Sequence, residues 1–196
     1  MPTINRVIKV LISADLMFNA AASFVNPVFA IFLVNSISGG TIKLAGTAVA
    51  IYWLTISILR VPIAYYLDKR SGEYDDFYSM IIGFFVFAIS HYLYIFAETP
   101  NHIYLIQLLM GIGGAFAFTP WYGIFTRHID KYHESFEWSI SVSIVGLGIA
   151  GAGYLSGIIA ESFGFAPLFL ISGTVALIGV VMLFFIKSSL KSSKIK

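Results

Sequence analysis

Four stretches of this chain contain no aspartate, glutamate, lysine or arginine: 77–97, 99–126, 138–160 and 162–186. Each is long enough to cross about 30 Å of hydrocarbon as a helix rising about 1.5 Å per residue. Two more apolar stretches are interrupted by charge, 7–34 by Asp15, with Lys9 near its start, and 44–67 by Arg60. That makes six spans, approximately 7–34, 44–67, 77–97, 101–126, 136–160 and 166–187, in a single domain over residues 1–196. The runs are continuous and lack the polar–apolar alternation of barrel strands, so the expected fold is all-α and polytopic. Composition closes the other routes. With 58% hydrophobic and 11% charged residues, the 196-residue chain has more apolar surface than a soluble domain of its size can bury. The same figures exclude disorder, a coiled coil and a nucleic-acid partner, and leave membrane lipids as the surroundings. Cysteine is absent, which excludes thiolate metal sites and disulfides.

Basic residues orient the spans. Arg6 and Lys9, then Lys69 and Arg70, Arg127 and Lys131, and the tail Lys187, Lys191, Lys194 and Lys196 all fall on one side, against Lys43 on the other. Ten to one is a strong positive-inside bias, and it predicts cytoplasmic termini in a cell or inner membrane. The tail has a second reading as an anionic-lipid site. Lys9 and Asp15 break what would be the apolar region of a cleavable signal, so the N-terminal segment reads as a retained first span.

The chain also resembles itself. A shift of 93 positions sets 18–32 in span one against 111–125 in span four, and Ala22, Pro27, Ile31 and Phe32 meet Ala115, Pro120, Ile124 and Phe125. Asn26-Pro27 faces Thr119-Pro120, a polar-proline step whose freed carbonyl must be accommodated by neighbouring helices. Three helices followed by three similar ones start from opposite sides, which is the inverted 3+3 pattern of secondary transporters.

Three segments resemble motifs of the major facilitator superfamily. The loop Tyr66-Leu67-Asp68-Lys69-Arg70-Ser71-Gly72-Glu73 is similar to its Gly-x-x-x-Asp-Arg-x-Gly-Arg-Arg signature, with Ala64 at the leading glycine and Glu73 where a basic residue is usual. Gln107 to Ala115 resembles the family's Arg-x-x-Gln-Gly-x-Gly-x-Ala helix, with Gln107 at the arginine position. Residues 156–169 resemble the end of span five and the start of span six, with Gly153 in place of the antiporter proline. The resemblance implies one six-helix half of a fold that usually has twelve helices. It further implies a secondary transporter working by alternating access, with Asp68, Lys69 and Arg70 as a cytoplasmic gate. Two such halves share one orientation, so a parallel homodimer would rebuild the full arrangement around a central cavity. A fragment of a longer chain is the alternative. Small residues Gly146, Ala150, Gly153 and Gly157 share one face of span five, suited to span two of a partner or to packing within the chain.

Charged and polar side chains inside spans are candidates for function. Asp15 and Arg60 lie at matched depths, about two turns in, as a protonatable coupling group with its modulator or as a static ion pair. Asn19, Asn26, Gln107, Thr119, Trp121 and Tyr122 are the candidates for lining a cavity that takes a small polar or amphipathic solute. Trp138 reads as an interfacial belt residue, and so does His91, whose other reading is a proton shuttle. Asp75 and Asp76 read as a solvated cap. Arg127, His128, Asp130, Lys131, His133, Glu134 and Glu137 read as surface ion pairs and capping at the start of span five rather than as a metal site. No cofactor, no metal and no enzymatic activity are expected. Rhomboid-type serine chemistry lacks its Gly-x-Ser-x-Gly and histidine, and no filter-like repeat suggests a channel. A non-transporting membrane scaffold or assembly partner is the rival reading.

Overall fold

A computed structural model describes residues 4–69 and 72–190. Among these residues are six helices long and apolar enough to cross a membrane and no strand. They are α1 Arg6–Ser36, α2 Ile42–Asp68, α3 Tyr74–Phe96, α4 Pro100–His128, α5 Glu134–Phe163 and α6 Phe165–Ser189. The protein is thus an integral membrane protein.

Local chemistry starts and stops these helices. Asn5 accepts a hydrogen bond from the Val7 N–H at 2.9 Å and Thr41 accepts one from Leu44 at 3.1 Å, each satisfying a donor that the helix start leaves free. Pro100 opens α4, where a missing N–H costs nothing. Gly164, at φ 80°, is the whole connection between α5 and α6, a left-handed turn that a side chain would strain.

The two prolines matched by the internal repeat behave differently. Asn26-Pro27 opens a short 3-10 turn over Asn26–Val28 that interrupts α1, whereas Pro120 lies inside a continuous α4. Pro120 cannot donate to the carbonyl of Phe116, and Ser79 of α3 donates to it instead at 2.9 Å. In the other half Ser172 of α6 donates to the Ala21 carbonyl of α1 at 2.6 Å. Ser79 and Ser172 stand at the same 93-residue offset as the repeat.

Helix neighbours repeat this symmetry. α4 packs on α3 and α2, α1 packs on α6 and α5, and α3 meets α6. Exchanging α1 with α4, α2 with α5 and α3 with α6 leaves this set unchanged, so the inverted 3+3 reading holds in the packing. Helices α3 and α4 approach closely. A Cβ on Gly83 would lie 2.6 Å from the Gly113 carbonyl, and one on Gly113 would lie 2.9 Å from that of Gly83, so backbones touch where only glycine fits. Beside it Phe18 of α1 stacks on Phe84 of α3, centroids 3.5 Å apart.

The small-residue face of α5 is largely unfilled within the chain, with Gly153 alone of its glycines near another helix, its Cβ position 3.9 Å from Pro27. Gly146 and Ala150 are exposed, and no atom lies within 4 Å of a Cβ built on Gly146 or Gly157. The inward stripe is Ser141, Val145, Ala152 and Ser156, with Ser156 donating to the Phe24 carbonyl at 2.6 Å. α2 is similarly open, presenting Trp53, Leu54, Ile58 and Val61 outward.

Candidate functional site

α1 and α4 hold the middle of the arrangement and α2 and α5 stand apart on its open side. Between them runs a groove of about 700 Å³. Asp15, Asn19 and Asn26 come from α1, Arg60 from α2, Gln107, Trp121 and Tyr122 from α4, and Trp138, Ser141 and Gly146 from α5. Polar groups at membrane depth are costly against lipid, and the fold turns these toward a shared space.

Asp15 and Arg60 are the two charged residues of the lining, yet among the described residues no ion pair joins them. This corrects the static-pair expectation. The Asp15 carboxylate accepts from Asn19 Nδ2 at 2.8 Å, one helical turn away, and the same amide reaches the Asp15 carbonyl at 3.0 Å. Arg60 holds its guanidinium 5.7 Å from the centre of the Tyr122 ring, and its buried Nε has no hydrogen-bond partner. Both residues line one cavity, but each turns to a different neighbour, Asp15 to Asn19 and Arg60 to the Tyr122 ring.

Toward the end away from the termini the groove becomes uncharged. Gln107 donates to the Tyr94 hydroxyl at 3.0 Å, and that hydroxyl points to Met110 Sδ at 3.4 Å. Asn26 lies exposed on the same wall. Trp121 is 2% exposed and is as much a packing residue as a lining one. It donates to the Leu11 carbonyl at 3.3 Å and stacks on Phe125, centroids 4.9 Å apart. Trp138 lies 4.4 Å from Phe125 and 6.2 Å from Trp121, so it belongs to the cavity wall and not to a lipid-facing belt.

Two expected site residues sit elsewhere. Thr119 faces a smaller recess of about 400 Å³ between α2, α3 and α4, where its buried hydroxyl has no partner. One step along a helix turns a side chain by about 100°, which carries Thr119 away from the face of Trp121. His91 is 1% exposed, not interfacial. Its Nδ1 lies 2.9 Å from the Phe87 carbonyl and its ring 4.8 Å from that of Phe87, in the core behind the groove.

The end that bears the termini holds a cluster that sequence reading missed. Arg127, at the end of α4, reaches Glu73 at 3.2 Å and pairs with Asp76, while His128 Nδ1 lies 3.5 Å from Glu73. Glu73 and Asp76 are buried, so the solvated-cap reading of Asp76 is corrected. Arg127 stays at the surface, 39% exposed, but its partners are these acids of the neighbouring helix rather than those of its own loop. Both acids answer Arg127 across the α3–α4 contact. The gate candidates divide: Asp68 lines the smaller recess with Asp76 and Arg127, Lys69 rests its ammonium 4.0 Å from the Tyr65 ring, and Arg70 lies outside the described residues. Among the described residues no group of three or more acids and histidines is arranged to hold a metal ion.

Comparison with known proteins assigns the family. The Major Facilitator Superfamily profile matches residues 11–196. An "Uncharacterized transporter" of Buchnera aphidicola subsp. Schizaphis graminum (strain Sg) is 27% identical over 164 residues, which is 82% of this chain and 39% of that protein. The in meso crystal structure of the POT family transporter PepTSo matches the whole chain with a TM-score of 0.71 at 15% identity, over 40% of its own length. This chain therefore spans less than half the length of either relative. Six helices with symmetric neighbours, an open groove between α2 and α5, and a family match from residue 11 onward agree: the chain belongs to the Major Facilitator Superfamily.

Proposed function

We propose that this chain forms half of a secondary transporter that moves a small polar or amphipathic solute across a cell or inner membrane by alternating access. The observation that carries the reading is the groove: about 700 Å³, open on one side, with charged and amide side chains held at membrane depth. A finished protein would not leave such a wall against lipid. A second six-helix unit in the same orientation closes it, and the exposed faces of α2 and α5 are the edges along which it would join. A parallel homodimer is the simplest such unit, since the ten-to-one basic bias gives every copy the same orientation, with cytoplasmic termini. Gly146, Ala150, Gly153 and Gly157 then become the α5 contact with the partner's α2. Asp15 is the coupling group, a carboxylate held by one amide and free of a fixed counter-ion. Asp68 and Lys69 contribute to the cytoplasmic gate.

Reconstitution into liposomes tests this reading. Saturable uptake that rises with an inward proton gradient is the expected result. Uptake no faster than in empty liposomes, over a panel of anionic, neutral and cationic solutes, would leave the chain a scaffold or assembly partner.

A further inference from the structure

The groove has an asymmetry that the transporter reading does not use. Its one cation, Arg60, lacks an ion pair, and its one carboxylate is already engaged by Asn19. A guanidinium always carries its charge, and at membrane depth it needs a counter-charge or a ring face. Arg60 has the ring of Tyr122 on one side, which delocalises some charge but accepts no N–H. Its fork of donors is therefore unfilled, in a wall otherwise made of aromatic and aliphatic side chains. Tyr122 lies beside it, and Tyr52, Trp53, Ile56 and Val49 line the same groove. At the far end, about three turns along α1 from Asp15, the polar groups are uncharged amides and a hydroxyl.

We infer that the groove selects an amphipathic organic anion, a solute whose single carboxylate or sulfonate is taken by the Arg60 guanidinium and whose apolar or aromatic body lies on Tyr52, Trp53 and Tyr122. Planar two-oxygen groups match the guanidinium fork, and the low dielectric of the surroundings strengthens the contact. A cation is disfavoured at the Arg60 end, where the guanidinium repels it. A neutral isostere leaves the fork unfilled. Asn26 and Gln107 accommodate a second, uncharged polar group on longer solutes. This selectivity rests on the groove being a solute site, as proposed above, and its test is separable from transport.

All three tryptophans, Trp53, Trp121 and Trp138, line the groove, so intrinsic fluorescence reads its occupancy. The full chain in lipid nanodiscs is titrated with benzoate, benzenesulfonate and octanoate, and in parallel with benzamide and benzylamine. The anions are expected to give a saturable change, the amide and the amine none at the same concentrations. Arg60→Gln is expected to weaken anion binding about tenfold or more, and Arg60→Lys to recover part of the loss. A saturable response to benzylamine or benzamide equal to that of benzoate, no saturable response to any of the anions, or undiminished anion binding by Arg60→Gln overturns the inference. Should Arg60→Gln not fold, the comparison of benzoate with benzamide on the unaltered chain decides alone. Anion-selective binding without uptake in liposomes would refute the transporter reading and keep this one. Uptake restricted to cations would do the reverse.

Discussion

Ser79 Oγ lies 2.9 Å from the carbonyl oxygen of Phe116, the acceptor that Pro120 leaves without its helical donor. The defect and its repair lie on different helices, so the proline in α4 ties α4 to α3. Replacing Ser79 by Ala should cost about 0.5–1 kcal/mol of stability in detergent, because that carbonyl then has no partner in a medium without water. In a Pro120→Ala background the alanine N–H supplies the bond, and the same serine substitution should cost close to nothing. A double-mutant cycle followed by thermal unfolding measures the coupling, and additivity of the two changes would contradict it.

Arg127 answers two buried acids at once. Substituting Met for Arg127 removes the partner of the buried Asp76 carboxylate, and breaking a buried pair typically costs about 3–5 kcal/mol. Arg127 is 39% exposed, so about 2 kcal/mol is the expected loss after screening. Adding Asp76→Asn to Arg127→Met should recover part of it. Thermal stability of the single and double variants decides, and a double variant less stable than Arg127→Met would count against the pairing.

Glycines separate contacts within the chain from contacts between chains. Ala at Gly83 pushes α3 off α4 and should lower stability by about 2 kcal/mol or more. A Cβ on Gly157 meets nothing within 4 Å in one chain, so a leucine there should leave monomer stability unchanged. If α5 meets a partner's α2, the same leucine should shift the mass distribution in nanodiscs from dimer toward monomer. An unchanged distribution would place the dimer contact elsewhere.

Asp15→Asn removes the one carboxylate of the groove and keeps its size. In liposomes an acid exterior should accelerate uptake by the unaltered protein, and the Asn variant should lose that response while retaining downhill transport. Retained gradient dependence would take the coupling role from Asp15.

Much of this architecture was legible because a bilayer allows few ways to satisfy a backbone: charge-free runs of the right length can only be helices, and α1 to α6 fall where those runs lie. The groove was half legible. Asn19, Asn26, Gln107 and Tyr122 line it, since polar side chains inside spans avoid lipid. What failed depended on which way a helix turns. His91 looked interfacial from its tyrosine neighbours but faces the core, and Thr119 differs from Trp121 by two helix positions that lead to different cavities. Asp76 and Arg127 were out of reach for another reason: 51 residues separate them, and only the α3–α4 packing brings them together. Arg60 and Asp15 show the opposite error, where equal depth suggested a pair but the side chains turn to Tyr122 and Asn19 instead.

Counterflow tests the central claim most directly, because only a carrier whose site faces each side in turn can perform it. Liposomes holding the full chain are loaded with unlabelled benzenesulfonate, glucose or choline, diluted, and given the labelled solute outside. A transient overshoot of labelled benzenesulfonate above its final level, absent with glucose and choline, is the result this account predicts. Monotonic filling with all three solutes, indistinguishable from protein-free liposomes, would contradict it.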